Sequence, residues 1–211
     1  MKKSWFTRIV VVIILAAFPL SFYFYYKYKI DNLSHEADKL QVFWEAPAFR
    51  YATQDRDSLS SDSLKGNVYI ADFIFTSCGS VCPNLSKTMA QIQDNFKDNS
   101  KVKLISFSID PDRDSIPVLK EYSTRYGAIP GKWFFLRGDK ETVWSMAEKG
   151  FKIPVVYTPQ RGKGNEFTHT ERLAVVDGKG EIRGFYNGLD EHEVSQLYDD
   201  VSTLLVSMTR K

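Results

Sequence analysis

The chain has 211 residues and a formal net charge of +2, from 28 lysine and arginine against 26 aspartate and glutamate residues. The two signs are interspersed and no basic stripe is present, so we expect no nucleic-acid partner. Residues 44–211 are numerous enough to form one domain with its own hydrophobic core.

The N-terminal segment differs in composition from the rest. Residues 1–8 form a basic lead, and residues 9–26 carry no charged side chain. At about 1.5 Å per residue, a helix of that length covers most of the hydrocarbon core of a bilayer. No small-residue cleavage site of the signal-peptide type follows, and aromatic residues and lysines typical of a membrane surface follow instead. We therefore expect an uncleaved anchor over residues 9–28, with a cleaved signal as the alternative.

The charge balance around this segment predicts the orientation of the protein. Lys2, Lys3, Arg8 and the amino terminus outweigh Lys27 and Lys29, which favours an N-terminus in the cytoplasm. The sequence therefore predicts a single-pass protein of the cell (inner) membrane, with its soluble domain on the extracytoplasmic or periplasmic side. A polar linker over residues 29–43 would join the anchor to that domain over residues 44–211.

The domain alternates between β and α patterns. Short strands around residues 49–51 and after Asp55 predict an N-terminal hairpin. The following stretch, residues 68–75, is almost entirely apolar, as in a strand covered on both faces. Further on, apolar periodicity predicts helices and strands in alternation. The predicted helices cover residues 83–96, the segment ending at Gly127, the segment after Asp139 and the C-terminal segment from about 191; the predicted strands cover residues 101–109, 133–136, 168–177 and 181–186.

This order predicts an α/β fold. Strands that alternate with helices form a mostly parallel sheet with helices on both faces. The closing antiparallel hairpin, together with two thiols where a strand meets a helix, indicates a thioredoxin-like domain with a central mixed sheet, flanking helices and an N-terminal hairpin. Residues 150–166 contain two prolines and several glycines. We interpret them as a long functional loop, because structureless loops of this length are otherwise uncommon.

The two cysteines of the chain stand at the centre of this pattern. Cys78 and Cys82 follow the apolar strand, and Pro83 opens the predicted helix. A helix N-terminus favours thiolate over thiol, so the position suits thiol chemistry. The Cys-x-x-x-Cys spacing has one residue more than the Cys-x-x-Cys of thioredoxins. It allows a redox-active disulfide, two ligands at one soft metal ion, or a structural bridge, although so small a loop would stabilise the fold little.

His169 is the candidate third ligand. It opens a predicted strand that a thioredoxin topology places beside the thiol-bearing strand. Two thiolates hold Cu(I), and an added imidazole makes Cu(II) acceptable as well, so this set suits copper. Zinc fits less well, since structural zinc sites usually have four protein ligands. The alternative for His169 is a hydrogen bond to a backbone carbonyl; His35 and His192 are explained by the linker and by the first turn of the last helix.

Three motifs together resemble the Sco/SenC family. They are Phe73-Ile-Phe-Thr-Ser-Cys-Gly-Ser-Val-Cys-Pro83, Ser108-Ile-Asp-Pro-Asp-Arg-Asp114 and Thr168-His-Thr followed by Val176-Asp-Gly-Lys-Gly180. The resemblance implies a thioredoxin fold and a membrane-tethered protein that binds copper and assists assembly of the Cu(A) centre of cytochrome c oxidase. It implies Cys78, Cys82 and His169 as copper ligands and Asp110 as a neighbour of the site. No acidic residue lies between the two cysteines, and we expect copper affinity and partner choice to differ from those of family members that have one there.

Two functional hypotheses remain open. In the first, the protein is a metallochaperone that delivers copper to the oxidase subunit carrying the Cu(A) site. In the second, it is a thiol–disulfide oxidoreductase in which Cys78 attacks a partner disulfide and Cys82 resolves the intermediate, with an outside thiol reductant as a further partner. Whether the protein is an enzyme depends on this choice.

The motif over residues 108–114 also has a structural interpretation. We expect Asp114 to cap the following helix and Arg113 to pair with a carboxylate.

Overall fold

A computed structural model describes residues 17–29, 40–155, 157–160, 164–167 and 171–208. Residues 17–29 are helical (α1). Within the described residues, no helix is both long and apolar enough to cross a membrane. Much of the predicted anchor, as well as His35 and His169, lies outside the described residues.

The domain is built around a seven-stranded mixed sheet with the strand order β2-β1-β5-β4-β3-β8-β9. Strands β3, β4 and β5 are parallel, and β8 pairs antiparallel with β3. These strands are β1 (Arg50–Thr53), β2 (Ser58–Ser60), β3 (Val68–Ile74), β4 (Val102–Ser108), β5 (Trp133–Arg137), β8 (Arg172–Val176) and β9 (Ile182–Asn187); β6 (Tyr157–Gln160) and β7 (Gly164–Phe167) form a separate pair.

The helices follow the sequence periodicity closely. They are α2 (Val81–Asn95), α3 (Ile116–Arg125), α4 (Lys140–Ser145), which continues as a π-helical turn over Met146–Gly150, and α5 (Glu191–Met208). Helix α2 begins at Val81 rather than at Pro83, so Cys82 lies in its first turn. Proline is tolerated there because an N–H in the first helical turn would have no intrahelical partner.

The segment predicted as a long functional loop contains two paired strands. Strands β6 and β7 pair antiparallel, from Tyr157 opposite Phe167 to Gln160 opposite Gly164. The pairing gives the backbone groups of an excursion outside the main sheet local hydrogen-bond partners. The segment therefore contains a local strand pair, and its functional role stays a prediction.

The hydrophobic core lies on both faces of the sheet. On one face, Phe73 and Phe107 stack with their ring centroids 5.2 Å apart, and Phe49 and Phe151 pack against them. The other face carries the buried Trp133 and Phe135. Every residue of β3 is buried, as the continuous apolar pattern predicted. The strand that leads to the cysteines is thus held rigidly from both sides.

The chain enters the domain along the edge strand β9. Arg183 donates hydrogen bonds to the carbonyl oxygens of Leu40 and Gln41, and its guanidinium forms an ion pair of 2.8 Å with Asp177. The amide of Phe43 donates to Ile182. Residues 40–43, expected to belong to the linker, are therefore already fastened to the sheet.

Candidate metal and thiol site

The two cysteines meet where β3 ends and α2 begins. Both are present as thiols rather than as a disulfide, and both are buried, with exposed fractions of 7% for Cys78 and 4% for Cys82. The turn before the helix is closed by a hydrogen bond from the amide of Cys78 to the carbonyl of Phe75. The amide of Cys82 donates to Sγ of Cys78 at 3.3 Å. The first turn of the helix thus directs a backbone N–H at the sulfur of Cys78.

The two thiols are electrostatically unequal. The pKa of the Cys82 thiol is raised strongly, chiefly by a hydrogen bond with Cys78 and secondly by burial. A backbone hydrogen bond with Phe75 lowers this pKa in part. The negative charges of Cys78 and Asp72 raise it further. In the metal-free state, Cys82 therefore keeps its proton while the backbone N–H of the helix favours negative charge on Cys78.

Asp110 lies at the same edge of the sheet. It follows β4, which runs parallel to β3, so the ends of the two strands lie side by side, and the amide of Ile109 donates to the carbonyl of Ile74. The Asp110 carboxyl is buried, and burial raises its pKa, which Arg113 opposes. Arg113 Nε lies 3.7 Å from Oδ2 of Asp110, an ion-pair distance too long for a hydrogen bond, and this confirms that Arg113 pairs with a carboxylate.

Asp114 does not cap the following helix as predicted. Ser115 occupies the N-cap position of α3 and makes no side-chain cap hydrogen bond. The Asp114 carboxylate turns inward and accepts hydrogen bonds from the backbone N–H and hydroxyl of Thr76 and from the hydroxyl of Ser108. The Asp114 carboxylate therefore accepts hydrogen bonds from buried donors near the cysteines instead of from the N–H groups at the start of α3.

Asp72 is a buried acid that the sequence reasoning missed. It lies on β3 opposite Ser106 of β4, and neither of its carboxyl oxygens accepts a hydrogen bond from the described part of the chain. Burial raises its pKa from 3.8 to about 7. The Ser106 hydroxyl opposes the rise, although it makes no hydrogen bond of normal geometry to the carboxyl. The available signal was one acidic residue within an otherwise apolar strand, six positions before Cys78.

The face of the sheet that carries Asp72 is the face covered by the thiol-bearing helix. Ser106 lies opposite Phe135 of β5, and Phe135 packs against Tyr122 of α3 at a ring distance of 5.9 Å. The hydroxyl of Tyr122 is 3.0 Å from that of Ser86, one turn after Cys82 on α2. Asp72 therefore lies beneath the dithiol, consistent with its effect on the pKa of Cys82.

The third predicted ligand lies outside the residues that the structure describes. Among the described residues, no group of three or more histidine, cysteine, aspartate or glutamate side chains is arranged to hold a metal ion. His169 lies outside them, three residues before Arg172, where β8 begins. The register of β8 against β3 runs antiparallel from Tyr69 opposite Val176 to Ala71 opposite Ala174. The start of β8 is therefore directed toward the thiol-bearing end of β3, and the prediction that the two strands are neighbours is confirmed.

His192 takes the place expected for it. It lies in the first turn of α5, where its backbone N–H donates to Oδ1 of Asp190 at 2.9 Å. The neighbouring Glu193 amide donates to the same oxygen. Asp190 thereby satisfies the N–H groups at the start of the helix, and His192 needs no ligand role to explain its position.

Comparison with known proteins agrees with the motifs. The family model described as SCO1/SenC matches residues 38–205. The SCO1 protein homolog of Bacillus subtilis is 33% identical over 162 residues, which cover 76% of this chain and 82% of that protein. The resemblance stated from the three sequence motifs is therefore confirmed.

Solved structures confirm the thioredoxin-like fold. A structure of BsSco, described as a member of the Sco family of cytochrome c oxidase assembly proteins with a disulfide switch, superposes with a TM-score of 0.67 at 30% identity, covering 80% of this chain and 95% of that one. Copper-bound ScoI from Bradyrhizobium japonicum gives a TM-score of 0.66 at 21% identity, covering 76% and 99%.

Proposed function

The chain belongs to the SCO1/SenC family, and on that premise we propose that it binds copper and serves the assembly of cytochrome c oxidase. The observation that carries the proposal is the pair of thiols at the N-terminus of α2. Two relatives support it: BsSco is described as belonging to a family of oxidase assembly proteins, and the Bradyrhizobium protein has been solved with copper bound. The recipient would be the oxidase subunit that carries the Cu(A) site.

Copper in this proposal is cargo, held by Cys78, Cys82 and His169. Thiolate sulfur is the preferred donor for Cu(I), and one imidazole extends the site to Cu(II). Two sulfurs one helical turn apart, neither tied up in a disulfide, fit such an ion. Asp110, buried at the same edge of the sheet, would lie beside the ligands without being one of them.

The protein would act at a membrane surface. The uncharged segment over residues 9–26 and the basic residues before it favour an anchor with the domain on the extracytoplasmic side. That location suits a dithiol whose oxidation state matters, because disulfides persist outside the cytoplasm. A membrane position would also bring the domain close to a membrane-bound oxidase.

Substitution of His169 tests the ligand set. We expect His169→Ala to lower the affinity for Cu(II) and to change the optical spectrum of the Cu(II) complex, while Cu(I) binding through the two sulfurs falls less. His192→Ala is the matched control, because His192 is accounted for by the first turn of α5. Full Cu(II) affinity and an unchanged spectrum in His169→Ala would overturn the three-ligand site.

A second function is favoured by the inequality of the thiols. The amide of Cys82 points at Sγ of Cys78, which suits Cys78 as the attacking nucleophile. The Cys78 thiolate would attack a partner disulfide, form a mixed disulfide and release one partner thiolate. Cys82 would then give up its proton and attack Cys78 sulfur, releasing the second partner thiolate. The products are a Cys78–Cys82 disulfide and a reduced partner, so an outside thiol reductant is needed for a further cycle.

The two functions differ in what they require. Reductase activity predicts that Cys82→Ser accumulates a mixed disulfide with its partner and that His169→Ala leaves this trapping unchanged. Absence of any mixed disulfide under conditions that support oxidase assembly would count against the reductase, whereas copper delivery would survive that result.

A further inference from the structure

The structure connects the turn that carries Cys78 to a buried carboxylate in a distant part of the chain. Asp114 is fully buried and lies in the segment between β4 and α3. Both its oxygens lie 3.2 Å from the backbone N of Thr76, and it also accepts the Thr76 hydroxyl. Its Oδ2 accepts the hydroxyl of Ser108 at 2.6 Å. Three donor groups thus converge on one carboxylate.

The donors come from two elements that the site requires in a fixed relation. Thr76 is two residues before Cys78, and Ser108 is the last residue of β4. The turn between Thr76 and Cys78 closes with the hydrogen bond from the Cys78 amide to Phe75. A displacement of Thr76 would therefore move Cys78, while Cys82 is held separately by helix α2.

Asp114 itself rests on a rigid segment. Its backbone N–H donates to the carbonyl of Asp110 at 2.9 Å. The guanidinium of Arg137 donates twice to the carbonyl of Pro111, and the indole of Trp144 donates to the carbonyl of Ile109. The segment is thus also held by β5 and α4.

We propose that Asp114 is a positioning residue, which fixes Cys78 relative to Cys82 by holding Thr76. The inference rests on the proposed function, because a preset distance between the sulfurs matters most for an ion that both must hold. The carboxylate acts through the turn, and Thr76 is the group it holds. Hydrogen bonds to an ionised acceptor are stronger than neutral ones, so one carboxylate suffices to fix the turn.

Asn at this position would break the arrangement without changing its volume. A carboxamide has one acceptor oxygen and an NH₂ group that can only donate, so it cannot accept from all three groups. Asp114→Asn should free the turn at Thr76 while the rest of the segment keeps its contacts to Arg137 and Trp144. The matched control is Asp112→Asn, the same chemical change two residues away at an exposed side chain paired with Lys140.

The test measures the turn and the metal separately. In copper-free, reduced protein, we expect Asp114→Asn to speed amide hydrogen exchange at Thr76, Ser77 and Cys78 at least about tenfold. Copper affinity, measured by competition with a chelator, should fall about 10- to 100-fold, as for lost supports of metal ligands. In Asp112→Asn, both quantities should stay within about twofold of the parent protein.

A second pair of variants covers the case in which Asp114→Asn does not fold. Thr76→Val removes the hydroxyl donor but keeps the backbone N–H, so we expect an intermediate loss of copper affinity, which Thr76→Ser should largely restore. Unchanged exchange and affinity in Asp114→Asn, or in Thr76→Val if the first variant is unfolded, would overturn the proposal. If the parent protein takes up no copper, the proposed function fails, and the exchange rates at Thr76–Cys78 still decide the role of Asp114.

Discussion

The backbone N–H of Cys82 donates a hydrogen bond to Sγ of Cys78 at 3.3 Å. The bond is possible because α2 begins at Val81, so that the N–H groups of its first turn have no partners within the helix. The two sulfurs therefore differ in the metal-free protein. The N–H donor favours the thiolate form of Cys78, whereas the raised pKa of Cys82 keeps that thiol protonated.

The first prediction concerns the reactivity of the single thiols. Cys82→Ser leaves Cys78 with its N–H donor. Cys78→Ser removes the hydrogen bond that contributes most to the raised pKa of the Cys82 thiol, but burial, the second cause, still raises that pKa. We expect iodoacetamide to modify Cys82→Ser at least about tenfold faster than Cys78→Ser at pH 7, since the thiolate is the reactive species. Equal rates, or faster modification of Cys78→Ser, would contradict the assigned inequality. Urea-unfolded samples of both variants, which should react at similar rates, provide the control.

The second prediction concerns Asp72 and pH. Its pKa is about 7 in the folded protein against an ordinary 3.8, so between these values the folded state binds a proton that the unfolded state has lost. The stabilising contribution of this group is therefore fully present below about pH 4 and is lost as pH rises through about 7. At about 1.4 kcal/mol per pKa unit, the loss amounts to up to about 4 kcal/mol.

Asp72→Asn isolates this effect. The free energy of unfolding of the variant, relative to the parent protein, should rise from pH 4 to pH 7 and then level off, in copper-free protein under reducing conditions. The comparison cancels contributions from Asp110 and Asp114, which both proteins contain. A difference that is independent of pH would mean that Asp72 is already ionised in the folded state at low pH. Cys82 and Tyr122 lie nearby, but their raised pKa values place their titration above this range.

The third prediction tests how the end of α2 is held. Lys132 is buried, and its ammonium group donates to the carbonyl oxygens of Phe96, Asn99 and Val102. Lys132→Met keeps the aliphatic stem but leaves these acceptors without their charged donor. We expect a loss of about 2–4 kcal/mol in the free energy of unfolding, from broken hydrogen bonds to a charged group.

Lys103→Met is the control for Lys132. Lys103 also donates to a carbonyl, that of Gly131 at 2.7 Å, but at an exposed position, so we expect a loss below about 1 kcal/mol. Copper affinity should be unchanged in both variants, because Lys132 supports the C-terminal end of α2 and the cysteines lie at its N-terminal end. Equal losses in the free energy of unfolding from the two substitutions would show that the buried ammonium of Lys132 stabilises the fold no more than the exposed one of Lys103.

Features that depend on neighbouring residues could be predicted from the sequence. The apolar run before Cys78 specified a buried central strand, and the spacing of Leu85, Met89 and Ile92 specified the helix after it; both elements are in place. The neighbouring positions of β3 and β8 followed from the thioredoxin topology.

Features that depend on distant residues could not be predicted. Asp114 precedes a helix, and local rules favour a cap there, but its carboxylate instead meets Thr76, 38 residues earlier in the chain. The choice between these partners depends on which donors the folded core brings close and deprives of water. Asp72 was missed for the same reason, since its pKa depends on burial beneath α2 rather than on its neighbours in sequence.

Copper content measures the central proposal most directly. The full-length protein, purified from cells grown with and without added copper, should carry one copper ion per chain in the first case, with an optical spectrum absent from the second. Cys78→Ser and Cys82→Ser should each abolish stable loading, while Asp112→Asn, at an exposed side chain paired with Lys140, should load as the parent protein does. Loading that persists in both cysteine variants, or a parent protein that takes up no copper, would contradict the assignment of the dithiol as a copper site.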